Sequence, residues 1–249
     1  MLEEQSTTAL RHGAGSGLLE GMVQGVLPEV ARRVARRRIA AISTELADRI
    51  CAAALAAAPQ ALDAMIAELE ASGITNAEIC DLVIPTVARR FGERWLDDTD
   101  SFVAVTIGVS RLQTLLRDRE EQLRQAPSAT GRRILVLVPH GCQHTLGAHS
   151  VAGQLRRDGH RVRLSLCEPT AGLARSLAGF KADLVMVSAA ASSMLPCAAE
   201  AVSFLRKGLA VDAPILIGGP ILASHSDVAE RTGADLATDS IAEALAVTV

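Results

Sequence analysis

A helical bundle followed by a doubly wound, parallel α/β domain is the fold class this sequence predicts, and three observations predict it. From Gly17 to Gln125 the apolar residues recur every three or four positions and no run alternates, which is the period of amphipathic helices rather than strands. At residues 125–132 the stretch "QAPSATGR" gathers Pro, Ser, Thr and Gly, the composition of a linker. Beyond it, short β-rich runs alternate with helical stretches, the pattern that right-handed crossovers impose on a parallel sheet. The expected organisation is an N-terminal arm over 1–28, a helical bundle over 29–125 and an α/β domain over 133–249.

The elements follow in order. Thr75 precedes "NAEICDLVIPTVARRF", and Asp100 or Ser101 precedes "FVAVTIGVSRLQTLLRDREEQL"; each offers a side-chain oxygen to the unpaired N–H groups of a helix start. Four or five helices in the bundle are expected. The strand candidates are "RILVLVP", "HRVRLSL", "ADLVMVSA", "PILIGG" and the weaker "ADLATDS". A length of 249 residues gives each half room for its own core. With four Phe, one Trp and no Tyr, that core must be built from Leu, Ile, Val and Ala, which favours close helix packing. The scarcity of rings also argues against single-strand nucleic-acid binding, which stacks bases on aromatic side chains. Net charge is −3. No apolar run approaches the roughly 20 residues that span a bilayer, and the N-terminus lacks the basic-then-apolar order of a signal peptide, so a cytoplasmic protein without membrane contact is expected. The five cysteines are odd in number and scattered, with no C-x-x-C pair, and are expected to stay reduced.

Chemistry concentrates in "VPHGCQHTLGAH", Val138 to His149, where the first strand hands over to a helix. In a doubly wound sheet ligands sit at the carboxyl ends of strands, so this stretch lies on the functional edge. It has no Lys-Ser/Thr for a phosphate-cradling loop, "HGAGSG" near the N-terminus follows no strand, and no G-x-S-x-G elbow occurs. Zinc held by His140, Cys142, His144 and His149 is conceivable, but neighbouring loop residues rarely converge tetrahedrally without another segment. Solvated loop histidines are the plainer alternative. Ser188 ends the third strand, and Gly218 with Gly219 ends the fourth. Small residues at neighbouring strand ends leave a slot between sheet and helices for something long and flat-sided.

In these residues the chain resembles the cobalamin-binding domains, whose pattern is D-x-H-x-x-G, then a serine at a strand end, then G-G. Here the first element stands as Cys142, Gln143, His144, Thr145, Leu146, Gly147, the second begins at Ser188, and the third is Gly218, Gly219. The resemblance implies a flavodoxin-like (Rossmann-like) domain in which His144 is the lower axial ligand of cobalt and the displaced dimethylbenzimidazole tail enters the slot. Thr145 and Leu146 flank the ligand, Gly147 makes room, Ser188 hydrogen-bonds the tail, and Gly218 and Gly219 admit backbone close to it. "FGERWLDDTDSFVAVTIGVSRLQ" resembles the helical cap beside such domains, with Trp95 over the upper face. Together, over Asn76 to Ala242, the two halves are most similar to the AerR/PpaA group of cobalamin-binding antirepressors of photosynthesis-gene repressors.

Two departures carry expectations. Val105 and Thr106 stand where adenosylcobalamin photoreceptors of this architecture keep a Glu-His pair, so hydroxocobalamin is expected to be favoured over adenosylcobalamin. Cys142 replaces the acid that orients the ligating imidazole, which leaves that ring without a charged partner and keeps haem, which suits a Cys-His loop, as the alternative cofactor. Arg32, Arg33, Arg36, Arg37 and Arg38 form a basic cluster, of which Arg33, Arg36 and Arg37 share a helix face; beside a solvated face, it suits DNA phosphates or an acidic patch on a repressor. The expected function is a non-enzymatic, cobalamin-dependent and light-responsive transcriptional regulator that binds a repressor of the PpsR/CrtJ type. The alternatives are a corrinoid methyl carrier for a methyltransferase and a haem-binding redox sensor.

Overall fold

The computed structural model describes residues 43–247 except 59, 125, 126 and 129; the arm over 1–28 and the arginine cluster at 32–38 lie outside the described residues. The helical part comprises α1 (Thr44–Leu55), α2 (Gln60–Ala71), the short α3 (Asn76–Glu78), α4 (Ile84–Leu96) and α5 (Phe102–Gln122). Thr75 caps α3 through a reciprocal box: its hydroxyl accepts from the Glu78 N–H at 3.2 Å, and the Glu78 carboxylate accepts from the Thr75 N–H at 2.8 Å. Of the two candidates before α5, Ser101 is the cap, accepting from the Ala104 N–H at 3.2 Å. Asp100 is drawn off by Arg94, whose Nε donates to it at 2.7 Å.

Between α3 and α4 the helix widens into a π turn over Ile79–Val83. Pro85, in the first turn of α4, has no N–H to return to the carbonyl four residues earlier, and a π turn is one of the few ways a helix continues past such a gap. The core of this part is aliphatic, as the composition requires: Ile50, Ile66, Ile79, Ile84, Val87, Leu112 and Leu116 are buried around Phe91. Gly108 of α5 meets the tip of that ring, where a Cβ would come within 2.3 Å of Cζ.

Five parallel strands follow, β1 (Arg133–Val138), β2 (Arg161–Leu166), β3 (Leu184–Ser188), β4 (Ile215–Gly218) and β5 (Leu236–Ala237), ordered β2-β1-β3-β4-β5. The intervening helices are α6 (Leu146–Arg157), α7 (Thr170–Ser176), α8 (Leu195–Ser203), α9 (Val228–Thr232) and, after β5, α10 (Ile241–Ala246). The order reverses direction between β1 and β3, so their carboxyl ends flank the crevice where doubly wound sheets take ligands. Thr44–Val249, bundle and sheet together, forms one compact unit. No described helix is long and apolar enough to cross a membrane.

The sheet's two faces differ. Leu135 and Val185 look toward Ala174 and Leu177 of the α7 region, and on that side Val185, Val187, Ile215 and Ile217 are fully buried. Val162 and Leu164 look the other way, toward His149 and Gly153 of α6. Register carries that second face across the sheet, through Leu164, Val136, Met186, Leu216 and Leu236, to Ser188 and Gly218 at its carboxyl end. Here Met186, Ser188, Gly218 and Leu236 are only partly buried. Central parallel strands are normally covered on both faces, so the gap is a notch beside β3 and β4 that ends at two small residues.

Candidate functional site

The loop from β1 to α6 is held at its buried side and free at its outer side. The His140 ring Nδ1 lies 2.9 Å from the Cys167 carbonyl, Gly141 turns the chain with φ of 82°, and the Cys142 N–H donates to the Pro139 carbonyl at 3.2 Å. Leu146 is buried, and the Thr145 hydroxyl accepts from Gln113 Nε2 at 3.2 Å. His144, between these anchors, is exposed and makes no hydrogen bond to any described residue. A Cβ at Gly147, the second residue of α6, would meet nothing within 4 Å. The loop therefore offers one imidazole to an open space on a fixed mount.

Cys142 does not share that space. It is 3 % exposed, its thiol is hydrogen-bonded to Cys197, and burial pushes it up to about 11, helped by neighbouring Cys197 and Cys167. Cys167 closes the group by donating its thiol hydrogen to the Cys142 carbonyl. Cys142 is thus buried while His144, two residues on, is exposed. The zinc alternative loses its geometry: among the described residues no group of three His, Cys, Asp or Glu could hold a metal. Native protein treated with iodoacetamide near neutral pH is expected to leave Cys142, Cys51 and Cys80 unlabelled, the last two being pushed by burial up to about 12, with all three labelled in urea. Rapid labelling of native Cys142, read by mass spectrometry, would place its thiol outside the core.

Ser188 and Gly218 stand side by side in register at the end of the notch. The two glycines are already explained by the chain itself. A Cβ on Gly218 would lie 2.6 Å from the Thr238 carbonyl oxygen, and one on Gly219, where φ is 121°, would lie 2.4 Å from that of Ala189. They let three backbone segments converge, which keeps the notch floor low. The same edge carries a pair that the motif reading passed over. The His225 Nε2 lies 3.2 Å from the Ser192 hydroxyl and its Nδ1 2.9 Å from the Ser224 hydroxyl. Only a lone histidine among serines in "ASHSD" marked it in the sequence.

Above the loop, α5 overhangs. Gln113 meets Thr145 at the start of α6, while Glu120, two turns later, accepts from Arg157 at the end of α6 at 2.5 Å; the helices run in the same direction. The part of α5 before Gln113 therefore projects past the carboxyl edge of the sheet, with Thr106 two turns out on the Gln113 face, about 10 Å beyond it at helical rise. This projecting start of α5 and the end of α4 before it are apolar and open: Trp95 is 50 % exposed, Leu96 76 %, Phe102 68 %, Val103 64 % and Ile107 45 %. Val105 is half-buried, and the exposed Thr106 hydroxyl donates to the Phe102 carbonyl at 2.8 Å. The turn from α4 to α5 is braced by Arg94, which binds Asp100 and also Asp48, at 3.0 Å. The bond from Arg90, ahead of that from Arg94, holds the Asp48 carboxyl below its usual range, and the bond from Arg94 does the same for Asp100. An apolar shelf thus stands over a lone imidazole, with a notch alongside. That arrangement fits a broad planar group with one open metal coordination site and a long tail.

Comparison with known proteins agrees. Residues 132–246 match the family model described as B12 binding domain. A curated relative, the uncharacterized 20.5 kDa protein in the bchF-crtJ intergenic region of Rhodobacter capsulatus, is 32 % identical over 182 residues, which is 72 % of this chain and 95 % of that one. Among solved structures, the monomethylamine corrinoid protein of Methanosarcina barkeri superposes with a TM-score of 0.62 at 17 % identity, over 80 % of this chain and 93 % of that one. It shares the helical part followed by the all-parallel sheet.

Proposed function

The chain belongs to the B12-binding domain family through residues 132–246 and is related to the Rhodobacter capsulatus protein, and from that premise we propose that it is a non-enzymatic, cobalamin-dependent regulator of a transcriptional repressor. The observation that carries the cofactor side of this reading is the exposed, unpartnered His144 beneath the α5 shelf. When bound, cobalamin would supply a cobalt centre sensitive to redox state and illumination. His144 would offer it an imidazole nitrogen, with Thr145 and Leu146 fixing the backbone at that point. Gly147 would leave the approach clear, Ser188 would offer a hydroxyl to the cofactor's tail in the notch beside Gly218 and Gly219, and Trp95, Val105 and Thr106 would cover the bound group. Since neither Val105 nor Thr106 carries an ionisable group, nothing at that point clamps a large upper ligand, which favours hydroxocobalamin over adenosylcobalamin.

The regulatory side is supported by the relative's position between bchF and crtJ, and a repressor of the PpsR/CrtJ type is the partner this suggests. The basic cluster from Arg32 to Arg38 is the proposed contact, to the repressor or to its DNA. Cytoplasmic residence and the absence of an enzymatic role belong to the same proposal. The test is binding of the full chain to an immobilised repressor of this type, without cofactor and after loading with hydroxocobalamin or methylcobalamin, in the dark and after illumination. About a tenfold difference in affinity (about 1.4 kcal/mol) between apo and hydroxocobalamin-loaded protein is expected. Equal affinity in all states would sink the regulatory reading, and methyl transfer from the methylcobalamin-loaded chain to a thiol acceptor would support the carrier instead.

A further inference from the structure

Away from the His144 edge, α5, α6 and β2 enclose a cavity of about 410 Å³. Its floor is apolar, formed by Leu116, Val162 and Leu164. Its rim carries Arg117, Arg124, Arg156 and Arg157 against two carboxylates, Glu120 and Glu121. Both carboxylates are engaged. Arg157 binds Glu120 at 2.5 Å and also Asp81, and Arg124 binds Glu121 at 3.1 Å.

Two guanidiniums are left over. Arg117 has no hydrogen-bond or ion-pair partner among the described residues, and Arg156 reaches only the Val162 carbonyl, at a long 3.4 Å. Burial, with Arg124 adding to it and Glu120 opposing it, draws Arg156 below its ordinary value. Burial and then the charges of Arg117 and Arg156 do the same to His149. A half-buried positive charge with no hydrogen-bonded carboxylate is costly, and a planar guanidinium is shaped for the paired oxygens of a carboxylate or phosphate.

We propose that this cavity binds a small organic phosphate dianion, with its phosphate between Arg117 and Arg156 and its organic part on Leu116, Val162 and Leu164. Arg117 and Arg156, which hold no carboxylate, supply the donors for the phosphate oxygens, the four guanidiniums exceed Asp81, Glu120 and Glu121 by one positive charge, and the volume suits a small ligand with an apolar body. Because the cavity lies between the helix that overhangs His144 and the helix that follows it, an anion there ties those two helices together.

Phenyl phosphate, inorganic phosphate and phenol, titrated separately by calorimetry into the full chain at constant ionic strength near neutral pH, test this. Phenyl phosphate is expected to bind saturably at millimolar concentration or below, about tenfold tighter than inorganic phosphate, with no binding of phenol. Arg117→Gln and Arg156→Gln should each weaken phenyl phosphate several-fold. Arg117 is exposed, so its variant leaves the fold undisturbed even if that of Arg156 does not. Bound dianion should also raise the His149 pKa in an NMR titration, because it offsets Arg117 and Arg156 while Glu120, Glu121, Arg124 and Arg157 stay paired. Absence of saturable binding, phenol binding as well as phenyl phosphate, or unchanged affinity in Arg117→Gln would each overturn the proposal.

Discussion

Replacing His144 by alanine is expected to remove the imidazole-ligated cobalt spectrum and to weaken hydroxocobalamin binding by about a hundredfold, while stability changes by less than about 0.5 kcal/mol. The last figure follows from exposure: His144 is exposed and makes no hydrogen bond to any described residue, and substitutions at such surface positions stay within that range. The affinity figure is the upper end of what loss of a mere supporting group costs at a metal site, which a direct ligand should at least equal. His140 is the necessary control, being exposed on the same loop but already held at the Cys167 carbonyl. His140→Ala should retain the spectrum. Absorbance titrations of both variants, with thermal melts alongside, decide the matter: an unchanged spectrum in His144→Ala would remove the residue from the cobalt.

The strands were legible because each is a short β-rich run bounded by breakers, and all five formed, even the two-residue β5. The start of α3 was equally plain, since Thr75 and Glu78 make a local box that needs no tertiary partner. What lay beyond sequence reading depends on side chains converging from distant segments. Either Asp100 or Ser101 was a reasonable cap for α5, and the choice was made by Arg94, a residue of the preceding helix. Cys142 read as a neighbour of His144, two residues away. Its burial is decided by Cys167 and Cys197, which arrive from the ends of β2 and the start of α8. The alternation of a loop says little about which side chains turn inward. The cationic cavity was likewise invisible, because the pairing of Arg157 with Glu120, which leaves Arg156 without a bonded carboxylate, emerges only when α5 lies along α6. Of the site itself, strand-end placement put His144, Ser188 and Gly218 on one edge, whereas the overhang of α5 above them follows from two contacts, Gln113 with Thr145 and Glu120 with Arg157.

Arg157 carries the largest expected effect on stability: Arg157→Met should cost about 3–5 kcal/mol, the range for breaking a buried ion pair from one side. Its guanidinium joins Asp81 of the π turn to Glu120 of α5, with side chains 12 %, 20 % and 18 % exposed. Methionine fills similar space but leaves two half-buried carboxylates facing each other. The pH dependence gives this prediction a second handle. Burial already raises Asp81 to about 6 in spite of the attraction of Arg157. A carboxyl whose folded pKa lies above its unfolded value binds protons more tightly when folded, so its protonation stabilises the fold at low pH, and that stabilisation is lost as pH rises through about 6. With the guanidinium gone the folded value must move higher still, and the loss must grow and extend upward. Urea titrations near pH 5 and near pH 8 should therefore show a larger difference for Arg157→Met than for the wild type, with the variant recovering part of its deficit in acid. The triple variant Asp81→Asn, Glu120→Gln, Arg157→Met, which removes every charge in the group, should regain most of the stability. A cost below about 1 kcal/mol for Arg157→Met, or no greater acid recovery than in the wild type, would show that the triad is a solvent-screened surface contact and does not anchor the helical cap to the sheet.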